Sequence, residues 1–259
     1  MNDLRVIPFL LLGDEGLVKT VSFKSRKYLG DPINAVKIFN TKRVDELALL
    51  DIDASRHGRE PKYEYIKEIV SEAFMPITYG GGVTELYQFE KLFKLGVEKI
   101  CVNSLFFSNP KIIKEASSIF GSQSIVLSLD VKKNFFGKDM LLYECGKKKS
   151  MLKNKELVKL INELDIGEIV LSSVDHEGAM KGFRLDLLKF LSSELNIPII
   201  SLGGAENIHH FLAAITCGAS AVGAGSMFVY NGPNKGVLIS YLNNEQIEVL
   251  NNAYKTENS

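Results

Sequence analysis

Cysteine and histidine are scarce: the chain of 259 residues holds three of the first and four of the second. Cys101, Cys145 and Cys217 are odd in number and widely spaced. That argues against a disulfide framework or a zinc site, and for a reducing, cytoplasmic compartment. Core filling is the simplest role for Cys101 and Cys217. His57, His176, His209 and His210 form no ligand pattern, so neither a metal nor another cofactor is expected. Net charge is missing too, since 31 basic side chains balance 31 acidic ones. No long basic run occurs. Lys147–Lys149 reads as a solvated loop, so nucleic acid is not an expected partner. Every apolar run falls short of the roughly 18 residues that cross a bilayer. The opening Met1-Asn2-Asp3-Leu4-Arg5 enters an apolar strand directly, without the plan of a signal peptide. The expectation is a cytoplasmic protein with no membrane partner.

What the chain does contain is a regular alternation. Hydrophobic residues make up 46% and charged residues 24%, enough for a large core. Eight short runs are apolar almost throughout: Val6–Leu12, Leu47–Ile52, Met75–Tyr79, Lys99–Val102, Ile125–Leu129, Glu168–Leu171, Ile197–Leu202 and Ala221–Ala224. Strands of a parallel sheet read this way when both faces are buried. Between them lie stripes at helical spacing, such as Leu86, Phe89, Leu92 and Phe93. Eight strands alternating with helices in about 250 residues predict one (β/α)8 barrel, a TIM barrel spanning residues 1–259. An open doubly wound sheet is the competing architecture.

The chain also repeats itself. Gly203-Gly204-Ala205 through Phe228 lines up without a gap on Gly81-Gly82-Val83 through Phe106, and Gly203 lies 122 residues after Gly81. Phe89/Phe211, Gly96/Gly218, Ser104/Ser226 and Asp53/Asp175 share that offset. Two similar half-barrels follow, at about 1–122 and 123–245.

Barrel function sits at the C-terminal ends of the strands. Each half places a glycine turn after its third strand, Gly80-Gly81-Gly82 and Gly203-Gly204. Each also places a small polar residue after its fourth, Asn103-Ser104 and Gly225-Ser226. Glycine lets backbone approach an anion closely, and a helix N-terminus attracts it. Two phosphate cups facing each other across the mouth are expected, suited to a phosphorylated small molecule. Among the carboxylates, Asp130 ends the fifth strand and reads as a proton-transfer group. Asp51, Asp175 and Glu177 stand at strand ends as well. Asp51 and Asp175 serve equally well as helix caps or turn residues.

The motifs Arg5-Val6-Ile7-Pro8-Phe9-Leu10, Gly30-Asp31-Pro32, Tyr79-Gly80-Gly81-Gly82, Lys99-Ile100-Cys101-Val102-Asn103-Ser104, Phe120-Gly121-Ser122-Gln123 and Asp175-His176-Glu177-Gly178 occur in order along the chain. Together they resemble the HisF family, the cyclase subunits of imidazole glycerol phosphate synthase. The resemblance implies a heterodimer with a HisH-like glutaminase whose ammonia travels through the barrel. At the top, ammonia would join a ribulosyl carboxamide bisphosphate, giving imidazole glycerol phosphate and an aminoimidazole ribotide. It further implies a charged gate at the barrel floor, matched by Arg5, Glu46, Lys99 and Glu168, and a loop lysine, matched by Lys19. Asp51, Gly81, Gly82, Asn103, Ser104, Glu177, Gly178, Gly203, Gly204, Gly225 and Ser226 match the substrate-binding rim.

The resemblance fails at one informative place. The family's acid–base pair matches Asp130 and position 11, but this chain has Leu11, which can neither give nor take a proton. Leu202 replaces a small residue, and Glu177 is one carbon longer than the family's Asp. The pattern is similar to HisF-like paralogues of surface-sugar pathways, which supply ammonia for amidation of a nucleotide-linked acetamido sugar. Two other readings stand beside it. One is a genuine histidine-pathway cyclase in which Asp14, Glu15 or Asp51 replaces the missing acid. The other is a non-catalytic barrel that only activates its glutaminase.

Overall fold

Each of the eight apolar runs forms a parallel strand of one closed barrel in the computed structural model, which describes residues 3–232 and 234–258. Met1 and Asn2, part of the opening stretch, lie outside the described residues. The strands are β1 Arg5–Gly13, β2 Leu47–Asp51, β3 Ile77–Gly80, β4 Lys99–Val102, β5 Ile125–Lys133, β6 Glu168–Ser173, β7 Ile199–Leu202 and β8 Ala221–Ala224. β1 pairs with both β2 and β8, and β5 with β6, so the sheet closes on itself. The open-sheet alternative is thereby excluded.

Helices α1 Pro32–Lys42, α2 Tyr63–Ser71, α3 Leu86–Lys94, α4 Pro110–Phe120, α5 Asn154–Asn162, α6 Leu185–Glu194 and α7 Ile208–Thr216 connect the strands, and α8 Asn244–Glu257 follows β8. Local signals start them. Asp31 accepts from the Ile33 amide ahead of Pro32, and Asn207 accepts from the amides of His209 and His210. Expected strand starts at Met75 and Ile197 move to Ile77 and Ile199. The intervening Pro76 and Pro198 have no N–H for the ladder. Their carbonyls instead accept from Leu47 at 3.0 Å and Ile169 at 2.9 Å.

Side chains alternate along each strand between two cores. Leu4, Val6, Leu10 and Leu12 of the first strand region join the large cluster shared with the helices. Ile7 and Phe9 face the bore with Ala48, Cys101, Val126, Val170, Ile200 and Ala221.

Three excursions are not legible as strands, the shortest pairing Tyr230–Asn231 with Gly236–Val237 after β8. The β1–α1 connection forms an antiparallel hairpin, Gly16–Val21 with Lys24–Gly30. The β5–α5 connection extends β5 into a second hairpin, adding Asp139–Tyr143 and then Lys148–Ser150.

Candidate functional site

The floor of the barrel is a closed ring of alternating charge. Arg5, Lys99 and Glu168 are the first residues of β1, β4 and β6, and Glu46 immediately precedes β2. Arg5 donates to Glu46 at 2.8 Å and also bonds Glu168. Lys99 donates to Glu46 at 2.8 Å and to Glu168 at 2.9 Å. Thr78 fills the other Glu46 oxygen at 2.6 Å. Burial opposes the Glu46 charge, yet Lys99, Thr78 and Arg5 together hold its carboxyl below the usual range. Four charges under low exposure are tolerable only because every one is paired.

Above the ring the bore is apolar. The Phe9 ring lies across Gly223: a Cβ on that glycine would sit 2.5 Å from the ring and 3.2 Å from Leu202. Here the absence of a side chain is what lets the aromatic fit.

The C-terminal rim encloses a cavity of about 510 Å³. Asp130 and Leu11 border it. So do Lys19, Asp51, Gly81, Gly82, Asn103, Ser104, Glu177, Gly178, Gly203, Gly204, Gly225 and Ser226. These rim residues thus meet in one space, whereas Asp175, also singled out in the sequence, does not border it, and the floor ring stands at the other end of the bore. Neither Asp14 nor Glu15 borders the cavity. Asp14 is exposed and bound by Arg59 and Lys62, both at 2.9 Å.

The mouth is divided by polarity. In the second half, Ser128 donates to Asp130 at 3.3 Å, and Ser172 stands beside it in register. Burial drives the Asp130 carboxyl up to about 7, against the lowering effect of both serines. In the first half the corresponding strand positions are Phe9, Leu11 and Leu50, with Leu202 also on the cavity wall.

The two cups are alike in backbone and unlike in partners. Gly81 and its repeat equivalent Gly203 have φ of +117° and +89°. A Cβ at these positions would come within 2.2 Å of the Asp51 carbonyl oxygen and 2.7 Å of that of Ser173, the residues that are themselves 122 apart. No other residue fits these turns. In the first cup, Ser104 accepts from the Glu144 amide at 2.9 Å. In the second, the buried Ser226 hydroxyl has no hydrogen-bond partner among the described residues. Lys19 reaches this cup, its Cε 3.3 Å from where a Gly225 Cβ would stand. Lys19 is ion-paired with Glu177, and Thr20 and the Phe23 amide also donate to that carboxylate. These contacts hold the first hairpin over the mouth. Burial pushes the Lys19 ammonium down to about 8, with Lys235 acting in the same sense.

Asp51 has a structural occupation. It accepts from the amides of Asp53 and Ala54, capping the helix Ile52–His57, and is clamped by both Arg59 nitrogens at 3.1 Å. Asp175 takes the Lys133 amide at 2.8 Å and Arg184 at 3.2 Å. Sequence reading missed Arg59, Arg184, Ser128 and Ser172. None stands in a motif of its own; each is identified only by what it touches.

Fold and site together define a two-fold-repeat (β/α)8 barrel with its cavity at the C-terminal rim and a charged ring at its floor. The chain belongs to the family described as histidine biosynthesis protein, which matches residues 5–234. It is HisF-like. A Pseudomonas aeruginosa protein provisionally named imidazole glycerol phosphate synthase subunit hisF2 is 47% identical over 247 residues, covering 95% of this chain and 98% of its own. A Vibrio vulnificus protein provisionally named subunit hisF3 is 48% identical over 243 residues, 92% of each chain. The Streptomyces avermitilis protein named imidazole glycerol phosphate synthase subunit HisF is 35% identical over 225 residues, covering 87% of this chain and 90% of its own.

Proposed function

We propose that this HisF-type subunit receives ammonia from a HisH-like glutaminase at its floor and passes it through the bore to the mouth. There the ammonia serves the amidation of a nucleotide-linked acetamido sugar, in place of a cyclisation run by the barrel alone. The single observation that carries this reading is Leu11 facing the cavity where the second half presents Asp130. General acid–base catalysis contributes about 10²–10⁴-fold, so loss of one of two proton carriers is a large deficit. Asp51 does not replace it, being held by two amides and Arg59.

The chain's own residues suit the transport step. An apolar bore admits neutral ammonia and rejects ammonium, whose charge Ile7, Phe9, Ala48, Val126, Val170, Ile200 and Ala221 would not solvate. The ring of Arg5, Glu46, Lys99 and Glu168 closes the floor to water until a docked partner draws one cation aside. At the mouth, Lys19, Ser226 and the glycine turns form an anion-holding rim for the phosphorylated ligand. Asp130, poised near neutrality, can take or give a proton there.

The histidine-pathway cyclase is the second reading, favoured by Asp130 itself and by the Streptomyces relative's name. One assay separates them. Purified protein is given the ribulosyl carboxamide bisphosphate and an ammonium salt, and imidazole glycerol phosphate is measured. No turnover by the natural chain, with turnover gained in Leu11→Asp, supports the proposal. Normal turnover by the natural chain refutes it.

A further inference from the structure

The charge balance of the whole chain conceals a strongly uneven segment. Residues 132–153 contain seven lysines, Lys132, Lys133, Lys138, Lys147, Lys148, Lys149 and Lys153, against only Asp139 and Glu144. This is the hairpin that continues β5 past the cavity rim. Asp130 pairs with Leu142 at rim level, and Lys133 with Asp139 at the far end. Both acids are already taken, Asp139 by Arg184 and Glu144 by Lys148. Among the described residues, Lys133, Lys138, Lys147, Lys149 and Lys153 have no ion pair, Lys147 donating only to the Arg56 carbonyl; Lys132 and Lys148 are paired.

The tip of the hairpin is apolar. Asn134 accepts from the amides of Phe136 and Lys138, closing a tight turn that pushes Phe135 and Phe136 outward. Their exposures are 98% and 82%, and Met151 beside the hairpin is 54% exposed. Two phenylalanines left in water cost solubility and add nothing to the fold. Such a patch marks a contact surface.

We propose that this hairpin is a membrane-surface anchor, which seats the barrel mouth-side down on an anionic lipid bilayer. The phenylalanine rings enter the headgroup zone and the surrounding lysines meet the lipid charge. Three observations favour lipid over a macromolecular partner. The two rings stand at 86° to each other, so they offer bases no common stacking plane. The two rings sit at the outermost turn of the hairpin, where they can enter a soft surface ahead of the rest of the barrel. The lysines are spread over two outer strands and the turns beside them with few fixed partners, which suits a diffuse, fluid negative surface. Contact of this kind needs no spanning segment, and no helix among the described residues is long and apolar enough to cross a membrane.

The test uses the full chain with vesicles of phosphatidylcholine, with and without phosphatidylglycerol. The natural protein is expected to sediment with the anionic vesicles and not with the neutral ones. The exposed double variant Phe135→Ser/Phe136→Ser should retain its circular dichroism and melting temperature while losing about tenfold or more in partitioning. Because the chain has no tryptophan, Phe135→Trp supplies a single reporter, and its emission should shift to the blue on adding anionic vesicles. Absence of sedimentation, or sedimentation undiminished in the double variant, overturns the proposal. So does retention of RNA or polyglutamate through the same phenylalanines while vesicles stay free.

Discussion

Leu11 and Asp130 occupy equivalent strand positions on opposite sides of the mouth. Asp130 lies 119 residues after Leu11, and their neighbours across the next strand, Leu50 and Ser172, are equivalent too. Hydrogen bonds confirm the correspondence. The Asp14 amide binds Asp53 at 2.9 Å, and the Lys133 amide binds Asp175 at 2.8 Å, each three residues beyond. The repeat keeps its scaffold in both halves but its proton chemistry in one.

That asymmetry gives stability a pH signature. The Asp130 carboxyl rises from 3.8 to about 7 in the folded chain. Below the lower value both states are protonated and nothing is lost. Between about 4 and 7 the unfolded chain ionises while the folded one still holds its proton, so stability falls as pH rises across that window and levels off above about 7. A full shift of this size corresponds to about 4 kcal/mol, and water in the open cavity reduces it to about 2 kcal/mol. Asp130→Asn is therefore expected to be the more stable protein at pH 8 and indistinguishable at pH 4. Urea titrations at the two pH values measure this.

Removing one cation from the floor should be costly. Lys99→Met leaves Glu46 and Glu168 with Arg5 as their only shared cation, and a broken buried network costs about 3 kcal/mol. Thr78→Val, which removes one neutral donor from Glu46, should cost about 1 kcal/mol. Denaturation midpoints of the two variants should fall in that order.

Asp51 permits a separation of structural from ligand-binding roles. Asp51→Ala loses the cap of Ile52–His57 and a partner of Arg59, a loss of about 2 kcal/mol. Asp51→Asn keeps an accepting oxygen for the amides and should lose less than half of that. Equal destabilisation by both substitutions, read from thermal melts, would show that the charge and not the cap is what matters.

The Lys19 ammonium is charged below about 8 and neutral above it. Inorganic phosphate should bind the mouth more weakly as pH rises through that value, beyond the change due to phosphate itself. Lys19→Met should bind weakly and without this dependence. Calorimetric titration across the range distinguishes the two profiles.

The sequence by itself determined the eight strands, the repeat and the barrel. Apolar runs buried on two faces and duplicated glycine turns are local patterns, and each is written in consecutive residues. It also named the rim residues, because glycines at positive φ and acids at strand ends are local requirements. Only the tertiary structure decided how these groups are employed. Closing the barrel turned Asp51 toward Arg59 and two amides. It folded the first hairpin so that Lys19 met Glu177, 158 residues away, and set the Phe9 ring against Gly223. It also left Phe135 and Phe136 standing in water on a basic hairpin that composition alone reads as neutral. Pairings across such separations depend on strand register and closure, which no stretch of neighbouring residues encodes.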